Sequence, residues 1–398
     1  MIKKFLDLGI QPLANQYLSK PINLSRKKGQ LYNLNVCFNS KTKLVSISKK
    51  IPVKKMFNST YPYKSSMSKT MLDSFKNLSN EIKKRFKPKL FLEIGSNDGA
   101  LIKNFSIKNT LCVEPCSNLA KITKKNGYFT YSKYWDYTLS TKIKKRFNSV
   151  DVIYAANTLT HIANLRDVFK SICNILSNNG VLIIEDPSLL ECIKKTSYDQ
   201  FYNEHIYVFS ALAVKNIINE FGLELFDIQK ISTHGGSLRY FIKRKKNNQI
   251  KISNKVTTQI NKEIKYGLDK FSTFVKFGKR TVNSKNRLIS LLHRLKKQNK
   301  TIAGYGATAK ATTVLNYCDI DEKIIDFFID TTPDKINKYM PGKKILIKKY
   351  NKKIYKNVDY FLLGAWNFKK EILKKEKKFI KKGGKFITHV PKPKILIS

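Results

Sequence analysis

Five histidines occur in 398 residues, and two of them sit among groups that can move a proton. His205 closes the run Tyr198-Asp199-Gln200-Phe201-Tyr202-Asn203-Glu204-His205, which follows Glu185-Asp186-Pro187 at a strand end. A histidine titrates near neutrality, and an adjacent carboxylate can orient it or raise its basicity. Tyr202, Glu204 and His205 therefore supply an acid–base set. The plainer alternative is a Glu-His pair on a helix surface. His161 ends Ala156-Asn157-Thr158-Leu159-Thr160-His161, just past a strand beginning at Val150. That is the carboxyl edge of a parallel sheet, where ligands bind. His161 either faces a substrate or bonds only within its loop.

A second constellation suits a small charged ligand. Glu93-Ile94-Gly95-Ser96-Asn97-Asp98-Gly99 follows a strand and opens a helix. Gly95 and Gly99 let the backbone turn tightly and come close to a ligand. The pattern is ExGxxxG, not the GxGxxG that cradles a dinucleotide pyrophosphate. The acid at the strand end suits the positive amino-acid end of a ligand. Glu114, about twenty residues on, suits a ribose diol, because a carboxylate accepts two hydroxyl hydrogens. S-adenosylmethionine has both features; the alternative is a plain turn with glycines for packing. Two further glycine segments are weaker. Thr233-His234-Gly235-Gly236-Ser237-Leu238-Arg239 reads as a turn between antiparallel strands, with Arg239 able to clamp a phosphate or to hold the sheet edge. Gly304-Tyr305-Gly306-Ala307-Thr308-Ala309-Lys310 offers helix-start amides and a lysine to an anion, or close packing.

The elements that position these groups alternate. A helix over Ser68 to Phe86 carries Met71, Leu72, Phe75, Leu78 and Ile82 at helical spacing. Strands follow at Lys89 to Ile94, Thr110 to Val113, Val150 to Ala155 and Gly180 to Ile184. Helices run from Ser117, over Asn164 to Leu176 and at about 210–221. Leu223 to Ser232 and Ser237 to Arg244 close the sheet. Such alternation implies a parallel sheet with right-handed crossovers. Residues 1 to about 70 look irregular, with a small β element at Leu31 to Val36 and Leu44 to Ile47. Residues 245–300 read as one or two long helices whose lysines form a solvated face. From Thr301 a second αβ pattern runs: strands at Thr301 to Tyr305, Lys323 to Ile329, Val358 to Leu363 and Lys385 to His389, and helices at Lys310 to Leu315 and Lys369 to Lys382. The fold class is α/β. A central Rossmann-like sheet is flanked by a small irregular or β amino-terminal part and a second, smaller Rossmann-like unit.

Composition narrows the function. Hydrophobic residues at 42% and aromatics at 12% exclude wholesale disorder. The net charge is +49, yet only nine of the 77 basic residues are arginine. A protein reading phosphates and guanines would use more arginine, so compositional drift plus an anionic ligand is favoured over nucleic acid. No apolar run reaches the length of a membrane span, and the start lacks a signal-peptide core, so a cytoplasmic protein is expected. The six cysteines form no CxxC pair.

Taken in order, these segments resemble the sugar C-methyltransferases that act on nucleotide-linked 4-keto-6-deoxy sugars. The resemblance spans nearly the whole chain. It begins at Leu8-Gly9, Gln11-Pro12-Leu13-Ala14-Asn15 and Tyr61-Pro62-Tyr63-Lys64-Ser65-Ser66. It then takes in the ExGxxxG loop, Asn157…His161, Tyr202-x-Glu204-His205, Gly235-Gly236-Ser237-Leu238-Arg239 and Gly304-Tyr305-Gly306-Ala307-x-Ala309-Lys310. It implies an amino-terminal zinc-type domain (1–67), a methyltransferase domain (68–244), a helical linker (245–300) and a carboxy-terminal Rossmann-like domain (301–398). It also implies S-adenosylmethionine as cofactor, held by Glu93, Gly95, Asn97, Gly99, Glu114 and Asn157. The catalytic set carried over is His205 as general base, with Glu204 and Tyr202 beside it. His161 and Tyr63 polarise the ketone, Tyr61 being the alternative to Tyr63. Arg239 and Lys310 are assigned to the nucleotide-sugar substrate. One departure matters. The family's zinc domain uses two cysteine pairs, but here the first has no room and Cys37-Phe38-Asn39-Ser40 keeps one cysteine. No zinc is expected.

Three other readings compete. An O- or N-methyltransferase of another sugar or small metabolite keeps the cofactor loop without needing an enolate. An RNA-directed methyltransferase would use the charge and show steep salt dependence. A non-catalytic remnant is opposed by the intact Tyr202, Glu204, His205 and His161. The nucleotide, the sugar and the oligomeric state are not legible.

Overall fold

The computed structural model describes residues 1–20 and 31–396. Three sheets organise it. The central one has seven strands, in the spatial order Leu223–Ile231, Ser237–Arg244, Leu176–Pro187, Val150–Ala156, Phe91–Ile94, Thr110–Val113, Phe129–Tyr131. Ser237–Arg244 runs antiparallel to both neighbours, and the strands from Leu176–Pro187 to Phe129–Tyr131 are parallel. Phe91–Ile94 and Thr110–Val113 are buried at every position, as strands covered by helices on both faces must be. The helix expected at Ser68 to Phe86 forms as Lys69–Phe86. Ser68 caps it by accepting the Met71 N–H, and Met71, Phe75, Leu78 and Ile82 are buried. This is a Rossmann-like class I methyltransferase topology, with the glycine loop at the carboxyl edge of the middle strand.

The second sheet has six strands, in the order Leu346–Lys349, Phe327–Asp330, Ile302–Tyr305, Tyr360–Leu363, Lys385–Thr388, Lys394–Leu396. All pairings are parallel except the last. Its Ala309–Tyr317 helix is capped by Thr308, whose hydroxyl accepts the Ala311 N–H. The second αβ pattern thus reads correctly, although two of its strands escape the sequence reading.

The amino-terminal sheet is more regular than expected. Ile2–Pro12 is an eleven-residue strand paired antiparallel with Leu31–Asn39, which pairs in turn with Val45–Ile47. The fourth strand, Tyr207–Val208, is lent by the central chain segment just after His205. The Ile47 N–H donates to the Ile206 carbonyl at 2.9 Å, one residue from a candidate base.

The stretch expected to be solvated helix forms Asn254–Tyr266 and Phe271–Lys297. Their lysines do face water, but Phe274, Phe277, Leu288 and Leu292 are buried. Phe274 stacks on Phe38 at 4.5 Å between centroids and lies 5.0 Å from Phe5. The long helix is therefore one wall of the amino-terminal core, not a spacer. That packing stands where the resemblance implies zinc. The first 110 residues contain one cysteine and no histidine. Cys37 is a buried free thiol, and among the described residues no group of three or more His, Cys, Asp or Glu could hold a metal ion. The residues present do not fit zinc.

Candidate active site

Two histidines lie face to face in the space shared by the three sheets. His161 ends the short turn Leu159–His161, and its ring is sandwiched between Phe57 and His205, each 5.2 Å away and nearly parallel. Its Nε2 is buried with no hydrogen-bond partner. Burial alone drives its pKa down to about 3, so the ring is neutral. His205 places Nδ1 2.8 Å from the Gln200 carbonyl, which can only accept, so Nδ1 carries the proton. Nε2 then bears the lone pair and accepts from the Tyr202 hydroxyl at 2.6 Å. Burial first, then His161 and Lys310, push the His205 pKa well below its ordinary value.

Glu204 does not orient His205, contrary to the reading of an adjacent carboxylate. Its Oε1 accepts from Asn15 Nδ2 at 2.8 Å and its Oε2 from the Tyr61 hydroxyl at 2.9 Å. Burial raises its pKa to about 7 against the lowering pull of those two bonds. Tyr61 is thus the buried tyrosine of its segment. Tyr63 is 38% exposed, with its hydroxyl pushed up to about 12 by desolvation and by Asp98. The amino-terminal segment closes the site on two further sides. Asn203 Nδ2 donates to the Pro12 carbonyl at 2.8 Å, and the Tyr17 hydroxyl donates to the Ala307 carbonyl at 2.8 Å.

The glycine loop beside this centre has a shape of its own. Gly95 has φ +77°, and a side chain there would run into Thr158. Both oxygens of Glu114 are held by loop amides, the N–H of Asn97 and the N–H of Cys116, each at 2.8 Å. Glu93 is buried with Oε2 unpartnered, and burial followed by Glu114 holds its pKa well above the carboxylate range. Asn157 Nδ2 lies 3.4 Å from Nε2 of His234.

Two family models match the chain between residues 63 and 391. Residues 63–228 match a methyltransferase domain, and residues 232–391 match the C-methyltransferase C-terminal domain. The C-methyltransferase NovU of Streptomyces niveus is 28% identical over 309 residues, covering 77% of this chain and 73% of that protein. The chain is an S-adenosylmethionine-dependent C-methyltransferase. Among solved structures, the magnesium protoporphyrin IX methyltransferase of Synechocystis PCC 6803 with bound SAH is 11% identical, covering 44% of this chain and 84% of that one, with a TM-score of 0.33. The N-methyltransferase NodS of Bradyrhizobium japonicum WM9 is 12% identical, covering 44% and 96%, with a TM-score of 0.34. At those scores the likeness adds nothing to the strand order itself.

The methyltransferase fits its cofactor on structural grounds. The orphaned Glu93 oxygen would accept from a cationic donor such as the cofactor's amino group, while Gly95 packs against Thr158 and Gly99 against Thr123 and Ile102. Glu114 can exchange its loop amides for ribose hydroxyls. Asn97 does something else: its side chain donates to the Tyr63 carbonyl and accepts from the Ser65 N–H, tying the tyrosine segment to the loop. Arg239 is turned away from any ligand. Its Nε and Nη2 donate to Glu185 Oε2 at 3.0 and 2.8 Å, and its Nη1 donates to Gln229. It is the buried counter-ion of the sheet, so the phosphate-clamp expectation is corrected. Lys310 is 8% exposed and has no hydrogen-bond or ion-pair partner among the described residues. Burial draws its pKa down while Asp199 draws it up. The sequence reading missed Asn15, Gln200 and Phe57 as site residues. Asn15, inside the Gln11-Pro12-Leu13-Ala14-Asn15 segment, and Gln200, inside the run that ends at His205, left a signal, and Phe57 left none.

Proposed function

We propose that the methyl acceptor is a nucleoside-diphosphate-linked 4-keto-6-deoxy sugar, methylated on carbon beside its ketone with His205 as the base. The observation that carries this reading is the buried His205–Tyr202 pair facing His161, whose Nε2 lacks a partner. A neutral imidazole with its lone pair on Nε2 can take a proton from the carbon next to a carbonyl. The electron pair of the broken C–H bond moves into a carbon–carbon double bond, and the carbonyl pair moves onto oxygen. The Tyr202 hydroxyl and His161 can donate to that oxygen when His161 carries its proton on Nε2, each worth a few kcal/mol in a dry site. When bound, S-adenosylmethionine supplies an electrophilic methyl group. His205 then returns its proton to water. The unpaired Lys310 ammonium suits an anionic oxygen of the substrate. The competing O- or N-methyltransferase reading needs no enolate.

The test is solvent-deuterium exchange into a thymidine-diphosphate-linked 4-keto-6-deoxyglucose, with S-adenosylhomocysteine present, read by mass spectrometry. Exchange above protein-free and His205→Ala controls is the expected result. No exchange across thymidine, guanosine and cytidine nucleotides, with the cofactor product bound, would overturn the keto-sugar reading.

A further inference from the structure

A second set of buried groups converges on the protonated side of His205. Asp199, in the turn Tyr198–Gln200, is fully buried. Its Oδ2 accepts the indole N–H of Trp366 at 2.5 Å and lies 3.2 Å from Nε2 of His389, within ion-pair reach though not aligned as a hydrogen bond. Its Oδ1 has no partner. Trp366 follows the Tyr360–Leu363 strand and His389 follows Lys385–Thr388, so both come from the six-stranded sheet. Lys310, Cys192, Tyr198 and Tyr202 are further titratable groups acting on this carboxylate or near it.

The turn is fastened from the central sheet as well. Gln200 Nε2 donates to the His234 carbonyl at 2.8 Å. The loop carrying His234 packs under Trp366 so closely that a side chain on Gly235, at φ +89°, would collide with the indole. What these contacts hold still is the Gln200 carbonyl, the acceptor of His205 Nδ1–H. The acceptor a histidine finds on one nitrogen decides where the other keeps its lone pair. A 1 Å error in such a group can cost on the order of a hundredfold in rate.

We propose that Asp199 is the positioning residue of the base. Trp366 and His389 fix its carboxylate, its turn fixes the Gln200 carbonyl, and that carbonyl fixes His205 in the tautomer with its lone pair on Nε2. The six-stranded unit thereby sets the protonation pattern of a histidine on the central one. This rests on the reading of His205 as the base.

The test is the His205 tautomer in the full-length protein, read by two-bond proton–nitrogen correlations on 15N-histidine. Five histidines give few signals, and the His205→Ala variant assigns the one that matters. The expected wild-type pattern is a neutral ring protonated on Nδ1. Asp199→Ala, and separately the double variant Trp366→Phe with His389→Gln, should give mixed tautomers. Exchange into the keto sugar should fall by about a hundredfold while S-adenosylhomocysteine binding stays within twofold. Asp199→Asn, which still offers the indole an oxygen, should restore the wild-type tautomer. An unmoved tautomer in the double variant, with cofactor binding intact, would overturn the proposal even if Asp199→Ala fails to fold. Full exchange by His205→Ala would overturn it differently, by removing the base and leaving the tautomer shift standing.

Discussion

Glu204 shows what single-residue reasoning reaches and where it stops. The Tyr202-x-Glu204-His205 spacing marks the right neighbourhood, but it cannot say which group each carboxylate oxygen meets. Asn15 and Tyr61 lie 189 and 143 residues away in the chain. Tyr61 and Tyr63 are inseparable by pattern because in extended chain residues two apart share a face. A testable consequence follows from the Glu204 pKa of about 7. The folded state holds a proton there between roughly pH 4.3 and 7, where the unfolded chain has released it, so the contribution to stability falls as pH rises through that window. Glu204→Gln should therefore be more stable than wild type at pH 8, by up to about 3 kcal/mol, and lose that advantage at pH 5. Denaturant titration at the two pH values checks it. His161 and His234, each held near 3, act oppositely. The unfolded chain protonates them first, so stability should drop as pH falls from about 6.5 toward 3.

The elements were legible where their periodicity was clean. Phe91–Ile94 and Thr110–Val113 are short and apolar but for Glu93 and Thr110, and Lys69–Phe86 has both its cap and its stripe. Ile2–Pro12 was not legible, because register shifts between Lys4 and Leu6 and between Asp7 and Ile10 break the alternation a strand would show. Phe271–Lys297 was read as a helix but not as a wall, since its lysines outnumber the phenylalanines that do the packing. The prediction at this scale concerns Phe274. Phe274→Ala removes the stacking partner of Phe38 and the contact with Phe5, and should cost about 3–5 kcal/mol, measured by denaturant unfolding. At the glycine loop, Gly95→Ala places a side chain against Thr158 in a left-handed conformation. Its S-adenosylhomocysteine affinity in calorimetry should fall at least tenfold, with His205-dependent exchange lost only in proportion.

For the molecule as a whole, the two Rossmann-like units were readable because αβ alternation repeats over long stretches. Of the amino-terminal sheet only Leu31–Asn39 and Val45–Ile47 were readable, and its closure was not, because its fourth strand comes from residues 207–208. No helix among the described residues is long and apolar enough to cross a membrane. Two expectations belong at this scale. A chelator should leave the melting temperature and cofactor binding unchanged, since aromatic packing stands where a metal would. The charge of +49 repels itself, so raising sodium chloride from 20 to 300 mM should raise the melting temperature. A fall would mean that specific ion pairs outweigh the general repulsion.

The Tyr207–Val208 strand has a further consequence for the life of the chain. The segment carrying His205 is pinned on one side by Val45–Ile47, far earlier in the chain, and on the other by Trp366 and His389, far later in it. A half-made or clipped polypeptide with its glycine loop already folded could hold the methyl donor without being able to spend it. On the proposed mechanism, holding the cofactor and spending it are then separate properties, and only the second needs all three sheets in place.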